Sequence, residues 1–133
     1  MNVLLVDDEP SNLFALSALL EDLGAELHCA HSGEEALRQV LKRDFAAIVL
    51  DVRLPGIDGF ETAAAIRSVE RVRRTPIIFL SAHGDRRAEQ RDPLSAEGRD
   101  PLVEFLLKPV DPDVMRPRLA AHLGRSAPAR RLA

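Results

Sequence analysis

Short apolar runs alternate with amphipathic stretches along this chain, and the alternation predicts its secondary structure. Runs rich in Val, Ile and Leu predict strands covered on both faces, because such strands lack an alternating pattern. A further segment alternates polar and apolar residues, which indicates a strand at a sheet edge. The predicted buried strands are residues 3–6, 46–50, 77–80 and 102–107, and the predicted edge strand is residues 26–30.

The segments between these strands carry helical patterns with recognisable ends. One apolar stripe recurs from position 13 to 23, and Gly24 suits the left-handed residue that ends such a helix. Ser32 and Glu35 precede a second stripe and predict a capping box, in which each side chain bonds the other's backbone N–H. We predict a third helix over residues 59–68 and a last one from about 111–113 to 123, bent near Asp113 because Pro117 removes a hydrogen bond.

Alternating strands and helices predict an α/β fold in which a doubly wound, five-stranded parallel sheet carries helices on both faces, because parallel crossovers need connections of this length. Residues 82–100 depart from the pattern, with nine charged residues and Leu94 as their one large apolar residue. Pro93 and Pro101 interrupt this stretch further, so its helix, the fourth in chain order, is expected to be short, shifted or mobile. We predict one domain over residues 1–123 and a disordered tail over residues 124–133.

Composition narrows the function classes. The chain has 133 residues, 46% of them hydrophobic and 29% charged, which is typical of a domain that folds in water. A formal net charge of −3 makes nucleic acid an unexpected direct partner, and no apolar run has the length of a membrane span. Cys29 is the sole cysteine, so an intrachain disulfide is excluded and a reducing cytoplasm is expected.

Polar residues follow the predicted strands at the edge where sheets of this kind bind ligands. Carboxylates about 4 Å apart repel by roughly 4 kcal/mol at an effective dielectric near 20, so a cluster of them predicts a bound divalent cation. Oxygen ligands alone favour Mg²⁺, with Mn²⁺ as the alternative, over zinc. The residues in question are Asp7, Asp8 and Glu9 after the first strand, Asp51 after the third, Ser81 after the fourth, and Lys108 and Pro109 after the fifth.

Four separated motifs match the pattern of a known family: LVDDEP at 5–10, DVRLPGIDG at 51–59, SA at 81–82 and FLLKP at 105–109. In this order they resemble a response-regulator receiver domain over about residues 1–123. The resemblance implies a flavodoxin-like sheet order of 2-1-3-4-5. It also implies a phosphoacceptor in a two-component or phosphorelay system, which is a signalling protein rather than an enzyme.

The resemblance implies a role for each site residue. Asp51 would accept the phosphoryl group and bind Mg²⁺ together with Asp7, Asp8 and the backbone carbonyl of Arg53. Lys108 would pair with the phosphoryl oxygens and would precede Pro109 through a cis peptide bond. Ser81 would hydrogen-bond the attached phosphoryl group, and Phe105 would turn inward as Ser81 moves. We also hypothesise that the side chains of Arg53 and His83 tune the access of water to the phosphoryl group.

The implied donor is a phosphohistidine on a sensor histidine kinase or a histidine phosphotransfer protein, with a downstream protein as receiver of the signal. Neither nucleic acid nor a membrane is expected as a direct partner, and the domain would be a monomer or a weak homodimer.

Other readings of the same residues stay open. An aspartyl phosphatase would need a second acid two residues after Asp51, where Arg53 stands, and a flavin carrier would place its phosphate against Asp7 and Asp8. A binding module of this shape without phosphate chemistry normally lacks a site residue, and none is missing. Taken singly, Asp51 reads as a loop cap, Lys108 as a turn residue, Ser81 as a strand terminator and Phe105 as a core aromatic.

Overall fold

Strands and helices alternate as predicted within residues 1–82 and 102–126, which are the residues described by this computed structural model. The strands are β1 (Asn2–Val6), β2 (Glu26–Ala30), β3 (Ala47–Asp51), β4 (Ile77–Ala82) and β5 (Val103–Lys108). They form one parallel sheet in the order β2-β1-β3-β4-β5. The predicted strands are therefore confirmed within two residues at each end, and the flavodoxin-like order is confirmed as well.

The helices are α1 (Pro10–Leu20), α2 (Gly33–Val40), α3 (Gly59–Arg67) and α4 (Pro112–Ser126), with short 3₁₀ turns at Glu21–Leu23 and Glu70–Val72. Helix α4 includes Pro117 and runs three residues past its predicted end near Leu123. The rest of the predicted tail, residues 127–133, lies outside the described residues. The irregular helix predicted after β4 and the site residue His83 also fall outside them.

The core consists of two apolar layers, one on each face of the sheet. Alternate residues of β1 serve both layers: Leu4 and Val6 pack with α2 and α3, whereas Val3 and Leu5 pack with α1 and α4. All four of these side chains are buried, which is why the central strands read as continuous apolar runs. Within the described part of the chain, no helix combines the length and the apolar character needed to cross a membrane.

The helix ends show which local signals were correct. Gly24 adopts φ +86° after the turn that follows α1, as predicted. Ser32 Oγ accepts the Glu35 backbone N–H at 3.1 Å, but the reciprocal half of the predicted capping box is wrong. The Glu35 carboxylate instead accepts the backbone N–H of His31 at 3.0 Å, and it also contacts His31 Nδ1 at 3.1 Å. The imidazole thus draws the carboxylate one residue further back along the chain.

Candidate functional site

The carboxyl ends of the strands bring the predicted acids together. Strands β1 and β3 are neighbours in register, so Asp7 and Asp51 leave the sheet side by side. One oxygen from each of Asp7, Asp8 and Asp51 lies within 4.8 Å of the others. Two of these side chains are buried, with Asp7 at 1% and Asp51 at 4% exposure, and Asp8 is exposed. This geometry holds like charges at separations where they repel strongly.

Asp51 is held from two sides. Its Oδ1 accepts the backbone N–H of Arg53 at 3.0 Å, and its Oδ2 accepts a hydrogen bond from Lys108 Nζ at 2.5 Å. Burial raises the pKa of Asp51, and the nearby Asp7 charge acts in the same direction, while Lys108 and the Arg53 N–H only partly oppose the rise. The protein therefore places a carboxylate where its negative charge is costly.

Lys108, at the end of β5, contacts this cluster through its ammonium group. Its ammonium group lies 2.5 Å from Asp51 and 3.7 Å from Asp7. Burial lowers the pKa of Lys108, but the hydrogen bond and the attraction of the two carboxylates outweigh burial and leave the pKa raised. The ammonium thus stays charged at neutral pH. Beside this ammonium group, the three carboxylates offer the oxygen ligands that a hard divalent cation such as Mg²⁺ prefers.

Ser81 and Phe105 occupy the neighbouring strands. Ser81 is buried at the end of β4, beside the strand that carries Asp51. Phe105 on β5 is partly buried and stacks on Phe79 at a centroid distance of 5.0 Å, with Phe60 6.2 Å away. The aromatic ring already contacts the core in this structure, and its movement in response to Ser81 remains a prediction. The Lys108–Pro109 peptide bond is cis.

The start of α3 also shapes the site, which sequence reasoning missed. Asp58 and Glu61 form a full capping box: Asp58 Oδ1 accepts the Glu61 N–H at 2.8 Å, and Glu61 Oε1 accepts the Asp58 N–H at 2.9 Å. The Gly59 N–H donates to the Val52 carbonyl at 2.9 Å, and a Cβ on Gly59 would lie 2.3 Å from the Asp51 carbonyl oxygen. The Asp58–Glu61 spacing was the available signal for this cap.

A second missed residue is Asn12, on the first turn of α1. Its Nδ2 donates to Asp7 Oδ2 at 3.2 Å, and the Glu9 backbone N–H donates to Asp7 Oδ1 at 2.9 Å. No local pattern marks Asn12, because its partner is five residues earlier and across a turn. Asn12 also lines a cleft of about 520 Å³ between α1 and the segment after β5, together with apolar residues that include Leu16 and Val110.

An all-parallel sheet of this order with three acids, a serine and a lysine at its carboxyl edge defines a flavodoxin-like α/β domain with an acidic ligand-binding edge. Residues 3–120 match the response regulator receiver domain family. The chain therefore belongs to that family, whose members act as phosphoacceptors in two-component and phosphorelay signalling.

Relatives of known structure share this fold. The chain is 30% identical to the chemotaxis response regulator CheY4 of Vibrio cholerae, with a TM-score of 0.74 and coverage of 91% of this chain and 97% of that chain. It is 31% identical to the receiver domain of sensor histidine kinase PA1611 from Pseudomonas aeruginosa PAO1, with a TM-score of 0.73 and coverage of 93% and 94%. The PA1611 domain has a magnesium ion coordinated in its active site cleft.

Among curated proteins, sensor protein GacS of Pseudomonas syringae pv. syringae is 38% identical over 111 residues. That match covers 81% of this chain but 12% of GacS. The chain thus spans about an eighth of that relative's length. Receiver domains in hybrid kinases of this kind interact with histidine kinases or phosphotransfer proteins.

Proposed function

We propose that Asp51 accepts a phosphoryl group from a phosphohistidine and that the modification changes the contacts of the domain with a downstream protein. One observation carries the proposal. Asp51 is buried, its Oδ2 is bonded to the Lys108 ammonium group, and the second and third carboxylates of the cluster lie within 4.8 Å. A carboxylate whose negative charge is disfavoured by burial is suited to act as a nucleophile. Asp51 lies at the carboxyl edge of the sheet, next to the positive charge of Lys108.

Phosphoryl transfer requires the protein to position the reacting groups and to stabilise charge on the phosphoryl oxygens. An Asp51 oxygen attacks phosphorus in line, a P–O bond forms, the P–N bond to the donor imidazole breaks, and the imidazole nitrogen leaves with the electron pair. The Arg53 N–H orients the Asp51 carboxylate, and Lys108 shifts its hydrogen bond to the transferring phosphoryl oxygens. Water later hydrolyses the acyl phosphate. That the Arg53 and His83 side chains tune this step stays a prediction.

The acidic cluster fits Mg²⁺, with Asp7, Asp8, Asp51 and the Arg53 carbonyl as the proposed ligands. When bound, the ion neutralises the carboxylates and stabilises charge on the phosphoryl oxygens, with Mn²⁺ as an alternative. Asp7 is suited to this role because backbone and amide hydrogen bonds leave further lone pairs on both of its oxygens.

Ser81 and Phe105 supply the proposed readout of the modification. The buried Ser81 lies on the strand between Asp51 and Phe105, so a hydroxyl drawn toward an attached phosphoryl group changes the packing beside the ring. A phosphorylation switch requires two conformations that contact a partner differently, and two positions of the Phe105 ring would provide them. This step rests on the family resemblance and the strand order.

The surface of α1 supports a protein donor. Helix α1 contains no charged residue, and its exposed residues include Phe14, Ala15 and Ala18, with Phe14 at 77% exposure. An exposed apolar surface on a soluble domain is typical of a protein contact. The cleft beside α1 reaches Asp7 and Lys108, so a donor helix lying on this surface would present its histidine to Asp51.

The free, partly buried Cys29 is consistent with a cytoplasmic location.

Intact mass spectrometry tests the proposal. The native chain, Asp51→Asn and Asp44→Asn are incubated with phosphoramidate or acetyl phosphate, with and without Mg²⁺. Asp44 is an exposed carboxylate at the opposite edge of the sheet and serves as the matched control. We expect one phosphoryl group on the native chain and on Asp44→Asn, only with Mg²⁺, and none on Asp51→Asn. Absence of any addition would reduce the acidic cluster to a structural feature and favour a binding module without phosphate chemistry.

A further inference from the structure

Asp7 depends on a neighbour outside the motifs for the orientation of its carboxylate. Two donors hold its oxygens at hydrogen-bond distance: the Glu9 backbone N–H on Oδ1 at 2.9 Å and the Asn12 amide on Oδ2 at 3.2 Å. The Lys108 ammonium lies farther from Oδ2, at 3.7 Å. The backbone bond belongs to the turn itself, and the Asn12 amide is the nearest side-chain donor to the Asp7 carboxylate among these contacts.

The chemistry of this donor matters as much as its position. A carboxamide is neutral, so Asn12 orients the carboxylate without cancelling its charge, whereas a closer approach of Lys108 would neutralise Asp7. Lys108 is hydrogen-bonded to Asp51 at 2.5 Å and lies 3.7 Å from Oδ2 of Asp7, so Asn12 makes the shorter contact with that oxygen. A neutral donor that aims a ligand while preserving its charge is the usual form of support around a metal.

We propose that Asn12 is a positioning residue that aims the Asp7 carboxylate at the cation site, and the inference rests on the proposed function of that site. Asn12 also lines the cleft beside α1, next to Lys108 and Pro109. A protein seated on α1 would thus contact the residue that orients a metal ligand.

Asn12→Ala tests this assignment without harming the helix, because Ala has the higher helix propensity. Ser11→Ala changes the adjacent exposed position of α1 and is the matched control. Mg²⁺ affinity is measured by isothermal titration calorimetry on the unmodified proteins. We expect Asn12→Ala to weaken Mg²⁺ binding by about tenfold, the lower end for a supporting hydrogen bond, and Ser11→Ala to leave it unchanged.

A kinetic measurement separates positioning from general loss of structure. The half-saturating Mg²⁺ concentration for phosphorylation by phosphoramidate should rise in Asn12→Ala by the same factor as the dissociation constant. The rate at saturating Mg²⁺ should stay within about twofold of the native rate, because the bound cation then holds Asp7 in place. An unchanged Mg²⁺ affinity in Asn12→Ala, with normal binding by the native chain, would overturn the role of Asn12 alone. A native chain that binds no Mg²⁺ would overturn the proposed metal site itself.

Discussion

The two edges of the sheet hold their charged side chains in opposite ways. At the amino edge, Arg71 pairs with Asp44 at 3.3 Å and Arg73 pairs with Glu70 at 2.6 Å, and all four side chains are well exposed. At the carboxyl edge, Asp7, Asp8 and Asp51 converge, two of them buried. Water screens the matched pairs and little depends on them, whereas the excess of buried negative charge is retained despite its cost.

This difference between the two edges indicates that the domain loses stability for function at the carboxyl edge. At the amino edge, Asp44 and Glu70 are each paired with an arginine. The carboxyl edge instead combines raised pKa values at Asp51 and Lys108 with three carboxylates in a small volume. Perturbed groups clustered at the ligand-binding edge of an α/β sheet indicate chemistry.

The largest contrast concerns two lysines. Lys108→Ala removes the cation that contacts Asp51, and we expect phosphorylation by phosphoramidate to slow by about 100-fold, the usual cost of losing one preorganised charge-stabilising donor. Lys42→Ala removes an exposed lysine from the loop before β3, and its rate should match that of the native chain. Initial rates from intact mass measure both. Equal rates in Lys108→Ala and Lys42→Ala would show that Lys108 serves structure alone.

Two glycines provide the next contrast. Gly59→Ala places a Cβ 2.3 Å from the Asp51 carbonyl oxygen, which is backbone and yields little. We expect it to lower the free energy of unfolding by about 2–3 kcal/mol through overpacking, and to slow phosphorylation by displacing Asp51. Gly124→Ala in α4 meets no atom within 4 Å and should stabilise the protein by up to about 1 kcal/mol. Urea denaturation compares the variants, and a tolerated Gly59→Ala would contradict the close approach of α3.

A smaller effect should appear when the charge of Asp51 is removed in the absence of Mg²⁺. Because burial raises the folded-state pKa of Asp51, its protonation favours the folded state, and this stabilisation is lost as pH rises through that pKa. At pH 7.5, Asp51→Asn should therefore be more stable than the native chain by about 1 kcal/mol. The relief of repulsion between the carboxylates is only partly offset by the loss of the charged hydrogen bond with Lys108.

The sign of this effect has two checks by urea denaturation. The advantage of Asp51→Asn should shrink as pH falls toward the ordinary carboxyl pKa, since the native chain then takes up the proton. Saturating Mg²⁺ should reverse it, because a cation at ten times its dissociation constant stabilises the native chain by about 1.4 kcal/mol. An Asp51→Asn variant less stable than the native chain at pH 7.5 without Mg²⁺ would contradict the claim that Asp51 is held at a cost.

The smallest effects are expected at the amino edge. Arg71→Ala and Arg73→Ala each break an exposed ion pair and should change the free energy of unfolding by less than about 0.5 kcal/mol. Neither should alter the phosphorylation rate. Denaturation of the single variants measures this, and a loss above about 1 kcal/mol would mean that the two edges are more alike than the geometry indicates.

The comparison also shows why sequence reasoning succeeded where it did. Strands β1, β3 and β4 were predictable because burial on both faces leaves continuous apolar runs. Asp7, Asp51 and Lys108 were predictable because each ends or directly follows a strand. Asn12 was not, since its bond to Asp7 depends on the turn into α1. The glycine at position 59 was not either, because its constraint comes from a backbone atom of β3. The exchange of partners at Glu35 depended on the neighbouring His31 ring, which lies outside the capping pattern.

We propose that the acidic cluster at the carboxyl edge supports the phosphorylation of one particular carboxylate, that of Asp51. The most direct test is to phosphorylate the native chain with Mg²⁺, reduce the acyl phosphate with borohydride, and locate the reduced residue by tandem mass spectrometry. We predict that Asp51 alone is converted to homoserine, with Asp7 and Asp8 unchanged. Reduction at Asp7 or Asp8, or phosphate that borohydride does not remove and that maps to a histidine, would contradict the account.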